Sequence, residues 1–325
     1  MSSITELKIT DIPGVSIGQV EDIQGGTGCT VFVSKEGMCA GLDVRGGGPA
    51  SRESELLKPL ASAAWVNAVV LSGGSAFGLD AAGGVMKCLE ENGIGFDVGV
   101  TKVPLVCQSD LFDLTYRDPF ARPDFDMGYA AAKAALFDPN YRDGNCGVGC
   151  GATVGKIKGM ECCMKSGIGS YAIQIGDLIV GAVVAVNAFG DIYDWKTGNR
   201  VAGLLNDNLT GFEDTADYII KKITAPQNRY AGNTTLGVII TNADFDKAAL
   251  CKIAGMAHDG YARSIRPVHT SVDGDSIYAL SVGKVEANMD VVGTVAADVM
   301  SEAILNAVMN AANDGTYKCA RDIAG

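Results

Sequence analysis

Residues 232–241 read Gly-Asn-Thr-Thr-Leu-Gly-Val-Ile-Ile-Thr. The apolar, β-branched part, Thr235–Thr241, is typical of a buried central strand. The preceding residues 206–232 are mostly polar and contain one proline, which predicts an exposed connection with about one helical turn. A polar connection therefore leads directly into a buried strand, with the hydroxyl residue Thr234 at the boundary. A threonine at the start of a strand is common, so this position alone does not indicate a site.

The elements on either side of this strand mix strands with helices. Two helices are predicted after it, at about Asp246–Arg263 and Val291–Asn313, with a strand at Ser276–Val282 between them. Before it, Tyr171–Ile175 and Leu178–Val186 predict a hairpin that turns at Gly176-Asp177. Further strands are predicted at Thr30–Ser34, Ala40–Val44 and Val66–Leu71. Further helices are predicted at Phe77–Glu91 and Gly128–Leu136. The first of these helices has Leu79, Gly83, Met86 and Glu90 on one face and Gly93 as its C-cap. This pattern favours a layered α/β fold with a mixed sheet.

Composition excludes several classes of protein. The chain has 325 residues, of which 47% are hydrophobic and 20% charged, so it can form a sizeable core and is not intrinsically disordered. Its formal charge is −12, and an acidic chain without a basic cluster is not expected to bind nucleic acid. The longest apolar run, Leu178–Val186, is too short to cross a bilayer. The N-terminus lacks the pattern of a signal peptide, so we expect a cytoplasmic protein without a membrane partner.

The cysteines and histidines do not form a recognisable metal-binding pattern. There are ten cysteines and two histidines, and neither Cys146-x3-Cys150 nor the pair Cys162-Cys163 matches a zinc motif. We therefore expect reduced thiols in the core and neither a metal nor an organic cofactor.

Three short segments resemble known functional motifs but lack a residue that each motif requires. Gly147-x-Gly149 lacks the acidic residue of a dinucleotide site, and Gly155-Lys156 lacks the Ser/Thr of a phosphate loop. Ser75 follows a strand as a hydrolase nucleophile does, but the last glycine of that motif is missing. The glycines near Ser75 are better explained by tight backbone packing.

Taken together, several longer segments of the sequence resemble the P1-type peptidases. This is the L-aminopeptidase/D-amidase/D-esterase family, which includes β-peptidyl aminopeptidases and the nylon-oligomer hydrolase. The resemblance extends from about Gly14 to Ala312. The segments that carry it are Thr27–Val31, Asp43–Pro49, Arg52-Glu53, Leu71–Leu79, Gly128–Ala131, Gly151–Lys156, Asn233–Thr235 and Asp273–Asp275.

The resemblance implies one catalytic domain, 1–325, folded as an αββα sandwich similar to N-terminal-nucleophile hydrolases. It also implies self-cleavage between Asn233 and Thr234, which would produce fragments 1–233 and 234–325. The Thr234 hydroxyl would attack the Asn233 carbonyl, and water would hydrolyse the resulting ester. The freed α-amine, with an unperturbed pKa of about 7.7–8.0, would then act as the base that activates the same hydroxyl. Such a hydrolase needs no histidine.

Further roles are implied by position within the family. Asn187 would donate to the oxyanion, a contribution on the order of 3 kcal/mol; otherwise it is an asparagine at a strand end. Lys156 would hold charge or lower a nearby pKa; otherwise it is a solvated lysine after a glycine turn. Asp273 and Asp275, at alternate positions of an extended segment, would face the nucleophile; otherwise Asp-Gly marks a hairpin turn. The β-aminopeptidases have Ser and Glu there, so the pair does not favour β-peptide substrates.

A second departure concerns a tyrosine that stabilises the oxyanion in many family members. The corresponding position is Phe112, which has no hydroxyl, and Tyr116 is a possible substitute. The resemblance implies a small peptide or amino-acid amide as substrate and a homo-oligomer, a tetramer or larger. Two alternatives remain: an unprocessed binding protein of the same fold that has lost catalysis, and an acyltransferase similar to ornithine acetyltransferase.

Overall fold

The computed structural model describes residues 4–221 and 232–323. Ten strands form one continuous hydrogen-bonded system. They are β1 (Ile4–Leu7), β2 (Ser16–Asp22), β3 (Thr27–Val44), β4 (Ala50–Arg52), β5 (Val66–Ser72), β8 (Val106–Asp110), β11 (Ile168–Ile175), β12 (Leu178–Asn187), β15 (Thr234–Ala243) and β17 (Ser276–Val285). The remaining described strands form small sheets: β6 (Phe96–Asp97), β7 (Lys102–Val103), β9 (Thr153–Val154), β10 (Met164–Lys165), β13 (Asp191–Tyr193), β14 (Arg200–Ala202) and β16 (Ile265–Arg266). The α-helices are α1 (Ala81–Glu91), α2 (Phe125–Phe137), α3 (Thr215–Lys221), α4 (Lys247–Ser264) and α5 (Met289–Met309).

The large system consists of two sheets that share β3. The sequence predicts two strands in this region, at Thr30–Ser34 and Ala40–Val44; both segments are extended, but they belong to one continuous strand, so their separation is wrong. The first part of β3 pairs with β2 and β5, and its last part pairs with β17. Between them the register shifts, and Gly37 adopts φ +86°, a conformation that favours glycine. A single strand therefore passes from one sheet to the other.

Alternating side chains divide the core into three layers. Val183 and Leu236 of one sheet meet Phe32 and Val69 of the other between the sheets. The opposite faces of the two sheets are covered by helices, α4 and α5 on one side and α1 and α2 on the other. The order of layers is thus helix, sheet, sheet, helix, which is the predicted αββα sandwich.

The strand that begins at Thr234 lies at the centre of its sheet. β15 pairs antiparallel with β12 and parallel with β17, and α4 connects the two parallel strands. All but one of its residues are buried, as its β-branched sequence predicts. The hairpin of β11 and β12 is also confirmed, with Ile175 opposite Leu178.

Helix boundaries differ from the sequence predictions in identifiable ways. The helix expected at Phe77–Glu91 starts as a 3-10 turn, Ser75–Asp80, and becomes α-helical only at Ala81. The predicted face, which includes Met86 and Glu90, is not the buried one. A Cβ atom on Gly84 would lie 1.8 Å from the Phe125 carbonyl oxygen, so glycine permits the close contact between α1 and α2.

The polar connection contains more order than expected. Within residues 206–221, α3 forms two turns, and the Asp191 carboxylate accepts hydrogen bonds from the backbone N–H and the hydroxyl of Thr215, at 2.9 and 2.7 Å. The rest of the predicted connection, residues 222–231, lies outside the described residues.

Among the described helices, α5 is long and apolar enough to cross a membrane by length and composition, and 61% of its apolar window is buried in the protein. Its residues Val292, Val299 and Met300 belong to the core layer beneath α4 and α5. Core packing thus accounts for its apolar sequence.

All ten cysteines are free thiols, and seven of them are buried. Over residues 4–221 and 232–323, no three His, Cys, Asp or Glu side chains are grouped as metal ligands.

Candidate active site

Thr234 is the first residue of β15, and only 3% of its surface is exposed. Its Oγ donates a hydrogen bond to the carbonyl oxygen of Asn233, the residue before it. The same carbonyl oxygen accepts a second hydrogen bond, at 3.0 Å, from the backbone N–H of Gly274. The bond between Asn233 and Thr234 therefore has a hydroxyl beside it and a donor that polarises its carbonyl group.

Asp273 and Asp275 lie on an extended segment that leads into β17. Asn233 and Asp273 form a parallel β-bridge, so the Asp-Gly pair is not the tip of a hairpin. Asp275 Oδ1 accepts a hydrogen bond from the backbone N–H of Thr235 at 2.8 Å. Asp273 Oδ2 accepts from the N–H and the hydroxyl of Thr270, at 2.9 and 2.5 Å. The segment is thus fixed beside the Asn233–Thr234 bond.

Burial changes the titration of Asp273. The residue is 2% exposed, and this burial, with the adjacent Asp275 charge as a smaller cause, raises the pKa of its carboxyl to about 6. Asp273 therefore changes its charge close to neutral pH.

Lys156 is buried as well, with 3% of its surface exposed, so a solvated surface lysine is the wrong description. Its Nζ donates to Asn187 Oδ1 at 2.7 Å, to the Asn187 carbonyl at 3.1 Å and to the Gly232 carbonyl at 3.3 Å. Burial lowers its pKa to about 7. A lysine ammonium has three donors, and these three bonds go to Asn187, the cross-strand partner of Thr234, and to Gly232, the residue before Asn233.

Asn187 lies directly opposite Thr234 in the ladder between β12 and β15. Its Oδ1 accepts from the Thr153 N–H at 3.1 Å and from Lys156, and its Nδ2 donates to the Phe112 carbonyl at 2.8 Å. The amide is therefore held in a fixed orientation from both ends. One of its two N–H donors is engaged with Phe112.

The two candidates for the missing tyrosine have different surroundings. Phe112 lies against Gly232, where a Cβ atom would be 2.0 Å from the Phe112 ring. Tyr116 packs on Tyr317, with ring centroids 5.7 Å apart, and its ring lies 5.1 Å from Nζ of the buried Lys165. Phe112 therefore contacts the residues next to the proposed cleavage site, whereas Tyr116 belongs to a separate aromatic cluster.

The glycines before Ser75 have a structural explanation. Gly74 adopts φ +82°, and its N–H donates to Asp113 Oδ1 at 2.7 Å. A Cβ atom on Gly73 would lie 2.0 Å from Asp113 Oδ2. The turn thus wraps a buried carboxylate, which agrees with tight backbone packing.

Sequence reasoning missed two groups that form hydrogen bonds at this candidate site. The N–H of Gly274 is a backbone group, and side-chain motifs do not reveal it. His269 donates to Asp275 Oδ2 through Nδ1 at 2.8 Å and through its backbone N–H at 3.1 Å. Its position six residues before Asp275, in a chain with two histidines, is a signal that could have been used.

The layer order helix, sheet, sheet, helix places the chain in the class of N-terminal-nucleophile folds. Residues 8–319 match the model of peptidase family S58, and the chain belongs to this family. It is a hydrolase of peptide or amide bonds. The predicted family and fold class are thus confirmed.

Relatives of known sequence and structure agree with this assignment. The chain is 37% identical over 333 residues to an uncharacterized aminopeptidase of Mycobacterium leprae, covering 93% of this chain and 90% of that protein. It is 30% identical over 313 residues to the 6-aminohexanoate-oligomer endohydrolase of Agromyces, covering 91% and 84%.

Solved structures share the fold. The L-aminopeptidase D-Ala-esterase/amidase of Ochrobactrum anthropi, described as a variant of the Ntn hydrolase fold, superposes with a TM-score of 0.65 at 17% identity, covering 93% of this chain and 86% of that one. A Burkholderia β-aminopeptidase gives a TM-score of 0.65 at 19% identity, covering 98% and 94%.

Proposed function

We propose that the protein is a self-processing aminopeptidase or amidohydrolase whose nucleophile is Thr234. The observation that supports this proposal is the hydrogen bond from the Thr234 hydroxyl to the Asn233 carbonyl. The bond between these residues is buried, Lys156 binds the preceding Gly232 carbonyl, and Asp273 forms a β-bridge with Asn233. Cleavage of that bond would give fragments 1–233 and 234–325, with Thr234 as a new N-terminus.

The first reaction is an attack of Thr234 Oγ on the carbonyl carbon of Asn233. A C–O bond forms, the C–N bond to Thr234 breaks, the nitrogen takes up a proton, and water then hydrolyses the ester. The Gly274 N–H, 3.0 Å from the carbonyl oxygen, is the donor that would stabilise the negative charge developing on that oxygen. In its charged form, which a pKa of about 7 confines to neutral pH and below, the Lys156 ammonium, 3.3 Å from the neighbouring Gly232 carbonyl, would add positive charge nearby.

The second reaction uses the new terminus. The α-amine of Thr234, with an unperturbed pKa of about 7.7–8.0, accepts the hydroxyl proton as the oxygen attacks a substrate amide. The acyl group is transferred to Thr234, the amine product leaves, and water releases the acid. Asp273 and Asp275 would orient the α-ammonium and raise its pKa. No cofactor takes part in this scheme.

An oxyanion donor for substrate must also be supplied. Asn187 is opposite Thr234, and one N–H of its amide remains beyond the bond to Phe112. We assign that N–H to the substrate oxyanion. With Phe112 in the position of the family's tyrosine, Asn187 would carry a larger share of the stabilisation.

The proposed substrates are short peptides and amino-acid amides. The names of the relatives, an aminopeptidase and a 6-aminohexanoate-oligomer endohydrolase, suggest two classes to compare. We further propose that the enzyme is cytoplasmic. We also propose that it is a homo-oligomer of four or more chains, and sedimentation velocity would measure the number of chains.

The test is a denaturing gel of fresh recombinant protein, followed by N-terminal sequencing and an assay with L-, D- and β-aminoacyl-p-nitroanilides and a 6-aminohexanoate oligomer. We expect two bands, a second N-terminus that begins Thr-Thr-Leu, and hydrolysis of at least one substrate class. A persistent single band without activity would favour the unprocessed binding protein. Acyl transfer to an added amine in preference to water would favour an acyltransferase.

A further inference from the structure

Asp275 is held by donors on both of its oxygens. Oδ1 accepts from the N–H of Thr235, the residue after the proposed nucleophile, at 2.8 Å. Oδ2 accepts from the backbone N–H of His269 at 3.1 Å and from its Nδ1 at 2.8 Å. Because Asp275 is 1% exposed, these protein donors take the place of water around the carboxylate. His269 supplies two of them.

We propose that His269 is a positioning residue for the hydrolytic reaction: its imidazole fixes the Asp275 carboxylate, and through it the backbone at Thr234-Thr235. This inference rests on the proposed function, because Asp275 has a role in the reaction only if Thr234 is the nucleophile. Among the described residues, no hydrogen bond joins His269 to the Thr234 hydroxyl.

The hydrogen-bond pattern places a proton on Nδ1 of His269. Its Nδ1 faces a carboxylate oxygen, which only accepts, so the Nδ1 atom carries a proton. The Nε2 atom is buried and has no hydrogen-bond partner among residues 4–221 and 232–323. The ring therefore binds Asp275 through Nδ1 alone, and Nε2 does not take part in this contact.

The backbone of His269 is adapted to the same task. The residue adopts φ +58°, in the left-handed region where asparagine and histidine are tolerated better than most residues. In this conformation its backbone N–H and its ring N–H reach the same oxygen. Asparagine is thus the one replacement that keeps both features, because its Nδ2 occupies the place of Nδ1 and it accepts positive φ.

The ring is held from behind by two residues of α4. His258 meets it edge-on, with centroids 4.7 Å apart, and Tyr261 lies nearly parallel to it at 5.9 Å. His258 donates from Nε2 to the Asp43 carbonyl at 3.1 Å, and burial lowers its pKa to about 4. His258 is therefore neutral at neutral pH, and it packs against His269 without charge repulsion.

The experiment compares His269→Ala, His269→Asn and His269→Gln in the full chain. The readouts are the first-order rate of self-cleavage, and kcat and KM of the matured enzyme on the best p-nitroanilide. We expect H269A to lower the cleavage rate and kcat by about 10- to 100-fold, the range for a lost hydrogen bond to a charged group, with KM within about twofold. We expect H269N to recover both rates to within about threefold of wild type.

Arg266→Ala is the matched control, because this residue belongs to the same segment and its exposed side chain lies over the Tyr193 ring. It should leave both rates unchanged. Thermal unfolding of each variant measures the packing role of residue 269 separately.

Two results would overturn the proposal: H269A with wild-type rates, or H269N impaired as strongly as H269A. If H269A does not fold, the proposal is tested by comparing H269N with H269Q. The glutamine amide is one bond further from the backbone, so it does not occupy the place of Nδ1. Equal rates for these two variants would refute positioning through Nδ1. Thr234→Ala is run in parallel. A T234A chain that still cleaves itself refutes the proposed function. If T234A stays uncut while H269A cleaves itself and hydrolyses substrate at wild-type rates, only this inference is refuted.

Discussion

Gly274 lies directly against the hydroxyl of Thr234: a Cβ atom built on Gly274 would be 2.6 Å from Thr234 Oγ. The backbone N–H of the same glycine binds the Asn233 carbonyl oxygen at 3.0 Å. One residue therefore leaves space for the proposed nucleophile and supplies a donor to the carbonyl group that it would attack. This arrangement depends on the absence of a side chain.

The first prediction concerns this glycine. Gly274→Ala should displace the Thr234 hydroxyl and the N–H donor together, and slow self-cleavage by about 100-fold or more. The fraction of intact chain over time, measured on denaturing gels, gives the rate. Gly211→Ala is the control, because its nearest neighbour is an Asn206 side-chain nitrogen at an ordinary 3.5 Å. Wild-type cleavage in G274A would show that the close contact has no functional meaning.

The second prediction concerns the charge of Asp273. Asp273→Asn keeps an acceptor for the two Thr270 donors but cannot ionise, so we expect a folded protein that matures at least about tenfold more slowly at pH 7.5. Because burial raises the pKa of Asp273 to about 6, the wild-type cleavage rate should fall as the pH decreases below 6. The D273N variant should lack this dependence.

The control for D273N is Asp126→Asn, an exposed position in the first turn of α2. It should mature at the wild-type rate with the wild-type pH dependence. A D273N chain that processes normally at every pH would remove Asp273 from the site.

The third prediction uses the buried lysine. Burial lowers the pKa of Lys156 to about 7, whereas an unfolded lysine titrates at about 10.4. Between these values the unfolded chain binds more protons, so the free energy of unfolding rises with pH, by at most about 1.4 kcal/mol per pH unit for this group. Below pH 7 the full destabilising effect is present.

Urea unfolding of T234A and of the double variant T234A/K156M, from pH 7 to 9, isolates this contribution, since both chains remain intact in the proposed scheme. The pH slope of T234A should be steeper than that of T234A/K156M. Lys165, whose pKa burial lowers to about 8, is present in both chains and cancels in the difference. Equal slopes would mean that Lys156 is charged in the folded protein throughout this range.

Much of the fold could be predicted from local sequence. The β-branched run at 235–241 identifies the central strand, and Gly176-Asp177 between two apolar runs identifies the hairpin. The continuity of β3 could not be predicted, because exposed Lys35 and Glu36 and a glycine interrupt its alternation. Those residues form the irregular passage between two sheets, which is a tertiary feature.

The candidate site is only partly encoded in short motifs. Thr234, Asp273 and Asp275 could be proposed because the family resemblance marks their positions, whereas the residues themselves also fit a strand start and a hairpin turn. The burial of Lys156 depends on carbonyl groups of residues 187 and 232, which are remote in sequence. The link between His269 and Asp275 depends on one backbone conformation. Neither follows from composition or periodicity.

The most direct test of the central claim is the intact mass of freshly purified wild-type, Thr234→Ser and Thr234→Ala chains after incubation at neutral pH. Self-cleavage by the Thr234 hydroxyl predicts two species for the wild type, with the masses of residues 1–233 and 234–325. It predicts the same cut in T234S, which keeps a hydroxyl, and an uncut chain in T234A. A wild-type chain that stays whole, or a T234A chain cut at the same bond, would contradict it.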